Sequence, residues 1–91
     1  MGERGKLDFR KDEIKVGALY GIYFPDRITK IVKEGKESYI VELEDCGDRS
    51  NKHLGVLKLE KTGYYEMRIT TAVDNFDGAN YWFNAYEKEA I

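Results

Sequence analysis

The chain has 91 residues, of which 42% are hydrophobic and 35% charged, a composition that predicts one folded domain and excludes a disordered chain. The chain has 17 acidic and 15 basic residues, which gives a net charge of −2. It therefore has no overall excess of positive charge to attract nucleic acid or an anionic membrane. Residues 1–13 carry mixed charges and predict a charged N-terminal arm or edge strand, while residues 14–91 predict a single β-rich domain.

The first strand of that domain is indicated by apolar residues at every second position. Successive side chains of a strand point to opposite faces, so a period of two is typical of a strand, and here it runs through Ile14, Val16, Ala18, Tyr20, Ile22 and Phe24. Gly17 and Gly21 are expected to let this strand bend. Pro25 is expected to end it, because proline has no amide hydrogen for a β-ladder.

The central part of the chain predicts four further strands. Residues 28–34 and 38–44 form a predicted hairpin around a tight turn at 34–37, where Gly35 accommodates the turn. A polar loop at 45–52 precedes the next predicted strand, 53–60. After a turn at 61–63, alternation resumes in the predicted strand 64–73.

The C-terminal segment is rich in aromatic residues, which favour strands. We expect residues 74–80 to form a loop and residues 81–86 a sixth strand that pairs with strand 64–73 as a hairpin. Residues 87–91 predict a short helical turn or a frayed tail. About six strands spaced 8–12 residues apart predict a mostly β fold: a small antiparallel barrel or compact sandwich, with or without a short terminal helix.

The sequence indicates no catalytic residue, metal site or cofactor. Cys46 and His53 are too few for a structural zinc site, which needs four ligands, and they flank a polar loop that does not hold them rigidly. A run from Asp74 to Gly78 lacks the alternating ligands of a calcium loop and predicts a turn. The single cysteine cannot form an internal disulfide, and residues 1–6 precede no apolar run, so we expect a cytoplasmic protein without a membrane segment.

Two groups of residues are the candidates for partner binding. Aromatic side chains predicted to lie opposite the core would serve as interface anchors, namely Tyr64, Trp82 and Tyr86. Acidic residues at the end of strand 38–44 would contact a basic surface, namely Glu42, Glu44, Asp45 and Asp48. The alternative interpretations are that the aromatic residues fill the core and that the acidic cluster is ordinary solvated surface.

The function predicted from these features is a non-enzymatic binding module with a protein partner, such as an inhibitor or adaptor of a larger complex, for example one encoded by a phage or mobile element. One alternative is an OB-like barrel that binds single-stranded nucleic acid through Lys30, Lys33, Lys36 and Arg68, which the net charge disfavours. Another alternative is a small-molecule sensor or sequestering protein with an aromatic pocket. The sequence does not indicate the oligomeric state.

Overall fold

Six β-strands and one α-helix make up most of the protein, whose computed structural model describes residues 4–89. A one-turn 3-10 helix (Lys11–Glu13) follows the first strand. The elements are β1 (Asp8–Phe9), β2 (Leu19–Tyr20), β3 (Asp26–Glu34), β4 (Ser38–Glu44), β5 (Lys52–Leu59), β6 (Tyr65–Ala72) and α1 (Phe76–Glu89). Residues 1–3 of the predicted arm and 90–91 of the predicted tail lie outside the described residues.

The strands form one antiparallel sheet that almost closes on itself. Its order is β1-β6-β5-β4-β3-β2, so β1 and β2 lie at opposite edges. Just before β1, the Lys6 amide donates to the Leu19 carbonyl at 3.0 Å, and the Lys6 carbonyl accepts from the Gly21 amide at 2.9 Å. This bridge joins the two edges, and the predicted mostly β fold is confirmed as a nearly closed six-stranded barrel with a C-terminal helix.

The barrel interior is filled by apolar side chains from every second residue of the central strands. On β4 the inward residues are Tyr39, Val41 and Leu43, as the period of two requires. The buried cluster comprises Phe9, Ile14, Ile28, Tyr39, Val41, Leu43, Leu57 and Tyr65. Each such side chain contributes roughly 1.5–3 kcal/mol through its burial, which is the main stabilisation of the barrel.

Helix α1 forms a second layer on the outer face of the sheet. It buries Ala79, Phe83 and Tyr86 against a sheet surface that consists of Ile40, Leu54 and Val56. The spacing of the three helical residues places them on one face of the helix. Strands β4 and β5 are therefore covered on both faces, by the barrel interior on one side and by the helix on the other.

The predicted long strand over residues 14–24 is wrong. Only β2 is extended there, because backbone φ is positive at Gly17 (97°), Gly21 (107°) and Phe24 (52°), and the left-handed conformation interrupts an extended chain. Ile14 is buried in the barrel, as the alternation predicts, whereas Val16 and Phe24 are exposed. The glycines therefore end strand structure here instead of bending one long strand.

The predicted strand over residues 81–86 is also wrong, since these residues lie within α1. Asn75 begins the helix: its side-chain oxygen accepts the Gly78 amide at 3.1 Å, and its carbonyl accepts the Ala79 amide at 3.2 Å. The strand preference of the aromatic residues is overridden by the helix–sheet core, which uses Phe83 and Tyr86 at helical spacing. Residues 76–80 of the predicted loop also belong to α1.

The C-terminal turn of α1 is fastened to the β3–β4 hairpin by Glu87. Its two carboxylate oxygens accept the Lys36 and Glu37 amides, each at 2.9 Å. Burial, the largest single influence, raises the pKa of Glu87, but these amide donors outweigh it. The buried Ser38 hydroxyl, which has no partner at hydrogen-bond distance within residues 4–89, adds a longer-range contribution. The pKa of Glu87 is therefore lowered from its usual 4.5.

Replacing Glu87 with glutamine should lower the free energy of unfolding at neutral pH by about 1–2 kcal/mol, because two amides lose a charged acceptor. A folded-state pKa below the unfolded value stabilises the protein above the unfolded pKa, and this stabilisation is lost as the pH falls through the folded value. Urea denaturation from neutral to about pH 3 should show the difference between wild type and variant closing.

The matched control for this variant is Glu89→Gln. Glu89 is an exposed carboxylate near the end of the same helix, with its oxygen 3.6 Å from Lys58 Nζ. Its replacement should change stability by less than about 0.5 kcal/mol at any pH. A Glu87→Gln difference that stays constant down to the acidic limit would show that the carboxylate charge is not what fastens the helix.

Candidate functional site

Residues 21–25, called the aromatic loop below, connect β2 to β3. The loop begins at Gly21 and ends at Pro25, both of which interrupt strand structure. Between them Phe24 has a φ of 52°, the one positive φ at a non-glycine residue within residues 4–89. An aromatic residue in this conformation is strained, and the ring of a following proline adds a further restriction.

The side chains of this loop are turned towards solvent. Tyr23 is 83% exposed and Phe24 is 85% exposed, and Ile22 beside them is partly exposed as well. Within residues 4–89 neither ring lies against another aromatic ring or a cationic side chain. Two adjacent aromatic rings held in water on a strained backbone give no stability to the isolated domain.

Polar residues with acidic and basic side chains lie near the base of the loop and are called the rim below; they are Asp26, Glu44, Arg49, Lys52 and His53. Asp26 directly follows the loop, and its Oδ2 lies 3.4 Å from His53 Nε2 on β5. Arg49 Nε lies 3.9 Å from Glu44 Oε1, and the Lys52 ammonium 3.6 Å from Glu42 Oε1. The rim is therefore mixed and nearly balanced in charge.

A small cleft lies between the aromatic loop and the polar loop that joins β4 to β5. It has a volume of about 110 Å³ and is lined by Leu19, Pro25, Arg27, Glu44, Asp45, Cys46 and Arg49. Sites for drug-sized ligands usually occupy roughly 300–1,000 Å³. This cleft is the size of a pocket for one side chain.

Comparison with protein-family models, with curated proteins and with solved structures found no match to this chain. What the site can do follows from its own residues. Within the described part of the chain, no group of three or more His, Cys, Asp and Glu residues is placed to hold a metal ion. Nor does any helix there have the length and apolar character to cross a bilayer.

The four predicted acidic site residues all have partners within the domain. Glu42 accepts the Thr29 hydroxyl at 2.8 Å in addition to pairing with Lys52, and Glu44 lies near Arg49. Asp45 accepts the amides of Gly47 and Asp48, at 2.6 and 3.2 Å, and so shapes the turn. Hydrogen bonds from the Ser50 hydroxyl and amide to Asp48 lower the pKa of that carboxyl. These carboxylates organise the barrel end beside the aromatic loop.

The three predicted aromatic anchors are not brought together into one surface. Tyr64 lies half-buried next to β6, with the Arg10 guanidinium 5.8 Å from its ring centre. Trp82 is 42% exposed on α1, and its ring centre lies 6.0 Å from that of Tyr86. The prediction that Tyr86 lies opposite the core is wrong: it is 6% exposed, because helical spacing turns it towards the sheet, and this burial raises the pKa of its hydroxyl.

Cys46 and His53 do not form a catalytic pair in this structure. Cys46 is exposed and has no partner within residues 4–89, whereas His53 lies against Asp26. Sequence reasoning missed Tyr23 and placed Phe24 on a core face. The signal that could have located them is the run Ile22-Tyr23-Phe24, which breaks the alternation and lies between a glycine and a proline.

Proposed function

We propose that this chain is a non-enzymatic binding module that docks onto a protein partner through the aromatic loop. The observation that carries the proposal is the pair Tyr23 and Phe24, exposed at 83% and 85%, with Phe24 held at positive φ. Backbone strain persists where it serves a function, and adjacent exposed aromatic rings are typical anchors of protein interfaces. In the complex, the two rings insert into an apolar pocket of the partner.

The charges around the loop favour a protein over a nucleic acid. Binding to a phosphate backbone depends on an excess of Lys and Arg, whereas the rim combines Asp26 and Glu44 with Arg49 and Lys52. A polar rim of mixed sign around an aromatic centre is the usual composition of a protein–protein interface. The partner is therefore expected to present an apolar pocket bordered by charges of both signs.

The role that fits this arrangement is that of an inhibitor or adaptor of a larger protein complex. The domain is small, with a Cα radius of gyration of 12.5 Å, and its nearly closed barrel holds both ends of the loop, at β2 and at β3. A loop of five residues whose two ends are held by strands has few residues to order on binding, so a short contact can still give useful affinity. Such a domain acts by occupying or bridging a surface of its partner.

The proposal is tested by paired affinity capture from a lysate of the cells that encode the chain. The wild type and the variant Tyr23→Ser/Phe24→Asn serve as baits, and Tyr81→Ser is the control, since Tyr81 is also exposed but lies on α1. A protein retained by wild type and control should bind the loop variant at least about tenfold more weakly. Equal retention by all three baits would refute the assignment, as would capture of nucleic acid that falls steeply with salt.

A further inference from the structure

A second and larger cleft, called the N-terminal cleft below, lies where the chain before β1 crosses β2. It has a volume of about 370 Å³, which falls in the range usual for small-molecule sites. Its lining comes from residues 4–6, from the end of β1, from the one-turn helix and from the segment that leads into β2. The N-terminal cleft therefore has room for a small organic molecule, which the cleft beside the aromatic loop lacks.

The apolar part of this lining belongs to the barrel core. Phe9 is 2% exposed, and its ring centre lies 6.4 Å from that of Tyr20. Ala18 packs against the same core cluster, and Leu19 is half-buried on β2. Because the core holds these side chains in place, few of them need to be ordered when a ligand binds.

Two of the charged residues in the lining neutralise each other. Lys6 Nζ lies 2.7 Å from Glu13 Oε2, and Glu13 Oε1 accepts the Arg10 amide at 2.8 Å. The Arg10 amide and the Lys6 ammonium lower the pKa of Glu13, so this carboxylate stays charged and paired. The pair joins the segment before β1 to the one-turn helix and leaves neither charge for a ligand.

The remaining charged residues of the lining are two cations and one carboxylate, namely Arg4, Lys15 and Asp12. All three are exposed, and in the described part of the chain neither Arg4 nor Lys15 has an ion-pair or hydrogen-bond partner. The cleft is therefore complementary to a molecule with a single negative charge on an apolar body. A dianion such as phosphate fits less well, because it meets the Asp12 carboxylate and makes no use of the apolar lining.

We propose that the N-terminal cleft binds a small organic monocarboxylate. The carboxylate accepts hydrogen bonds from the Arg4 guanidinium and the Lys15 ammonium, and the apolar part of the ligand lies against Phe9, Ala18 and Leu19. A guanidinium can donate two parallel hydrogen bonds to one carboxylate, and an ammonium supplies a further charged donor. The protein thus has a ligand site separate from its docking loop.

This site goes beyond the proposed docking function and does not depend on it. Arg4, Lys15 and Phe9 belong neither to the aromatic loop nor to the rim. The docking variant Tyr23→Ser/Phe24→Asn should therefore bind the carboxylate as tightly as the wild type does. Failure of ligand binding is for this reason distinguishable from failure of partner capture.

The proposal is tested by titrating the isotopically labelled protein with benzoate and following its amide resonances by NMR. Saturable shifts are expected at the Gly5, Lys6, Ala18 and Leu19 amides, with a Kd of about 1 mM or below. Benzyl alcohol, which has the same ring without the charge, should bind at least about tenfold more weakly, and so should inorganic phosphate. No saturable shift up to about 20 mM benzoate, or equally tight binding of either comparison molecule, would overturn the proposal.

A pair of lysine variants tests the position of the carboxylate. Lys15→Gln should raise the Kd for benzoate at least about fivefold, because it removes one charged donor. Lys11→Gln is the matched control, since Lys11 is an exposed lysine of the one-turn helix outside the lining, and it should change the Kd by less than about twofold. Equal effects of the two substitutions would contradict the site, because benzoate would then respond only to the general positive charge of this region.

Discussion

Replacing Tyr86 with alanine should lower the free energy of unfolding by about 3–4 kcal/mol, as expected for the loss of a large buried aromatic side chain. Tyr86 is 6% exposed and packs against the sheet together with Phe83 and Ala79. Its ring also lies 5.3 Å from the Arg68 guanidinium, a contact that the variant loses. Urea denaturation followed by circular dichroism measures the change.

Tyr81→Ala is the matched control, since the same residue type is removed from the same helix. Tyr81 is 65% exposed, and its replacement should cost less than about 1 kcal/mol. The contrast is diagnostic because a strand over residues 81–86 would place Tyr81 inside and Tyr86 outside, the reverse of the helix. A larger loss for Tyr81→Ala than for Tyr86→Ala would therefore contradict the helical C-terminal layer.

Gly5→Ala should open the barrel closure and cost about 2–3 kcal/mol, combining steric strain with two weakened main-chain hydrogen bonds. A Cβ at Gly5 would lie 2.7 Å from the Leu19 carbonyl oxygen and still closer to the Gly21 carbonyl oxygen. Both obstacles are backbone atoms, which cannot rotate away as a flexible side chain can. The Lys6 bridge to β2 depends on this close approach.

The readout for Gly5→Ala combines stability with amide hydrogen exchange. Exchange should accelerate most at the Lys6 and Gly21 amides, which form the bridge. Gly47→Ala is the control: a Cβ there would meet only the Asp45 Oδ1 atom at 3.4 Å, an ordinary contact. If Gly5→Ala were as stable as Gly47→Ala, the closure between Lys6 and Tyr20 would not contribute to the fold.

The central hairpins could be predicted because their signals are local. The apolar alternation from Ser38 to Glu44 and the glycine turn before it predict both ends of β4 correctly. Residues Ser38 to Val41 are buried on both faces of the strand, whereas Glu42 and Glu44 are half-buried. The sequence also predicts a strand over residues 64–73, but its alternation does not show that Met67 and Ile69 lie on opposite faces of the sheet. A register shift leaves Arg68 unpaired with β5, so Met67 faces the barrel and Ile69 faces the helix.

The remaining elements depend on contacts that the sequence does not display. Alternation over residues 14–24 is compatible with a strand, and only the backbone at Gly17, Gly21 and Phe24 shows that the chain turns there. The aromatic residues at 81–86 are compatible with the period of a strand and with that of a helix. The helix forms because it packs Phe83 and Tyr86 against the apolar outer surface of the sheet. The Asn75 cap was the available local sign that a helix begins.

The candidate site chosen from the structure differs from the one chosen from the sequence for a related reason. Acidic residues at 42–48 form a visible cluster in the sequence, but their partners Thr29, Lys52 and Ser50 come from the pairing of strands and the folding of a turn. Conversely, Tyr23 and Phe24 are aromatic residues of the kind that favours strands, and the sequence does not show that both side chains are exposed. Residue type alone therefore does not identify the candidate site. What distinguishes the acidic residues from Tyr23 and Phe24 is that the folded domain supplies partners for the former and leaves the latter exposed.

The exposed aromatic loop is tested most directly by the unfolding free energy of Tyr23→Ser/Phe24→Asn in urea. Both rings lie in solvent, and asparagine tolerates positive φ better than phenylalanine, so stability should stay equal or rise by up to about 1 kcal/mol. Retained stability together with lost partner capture is the predicted result. A loss of more than about 1 kcal/mol would contradict it, because the two rings would then be supporting the barrel.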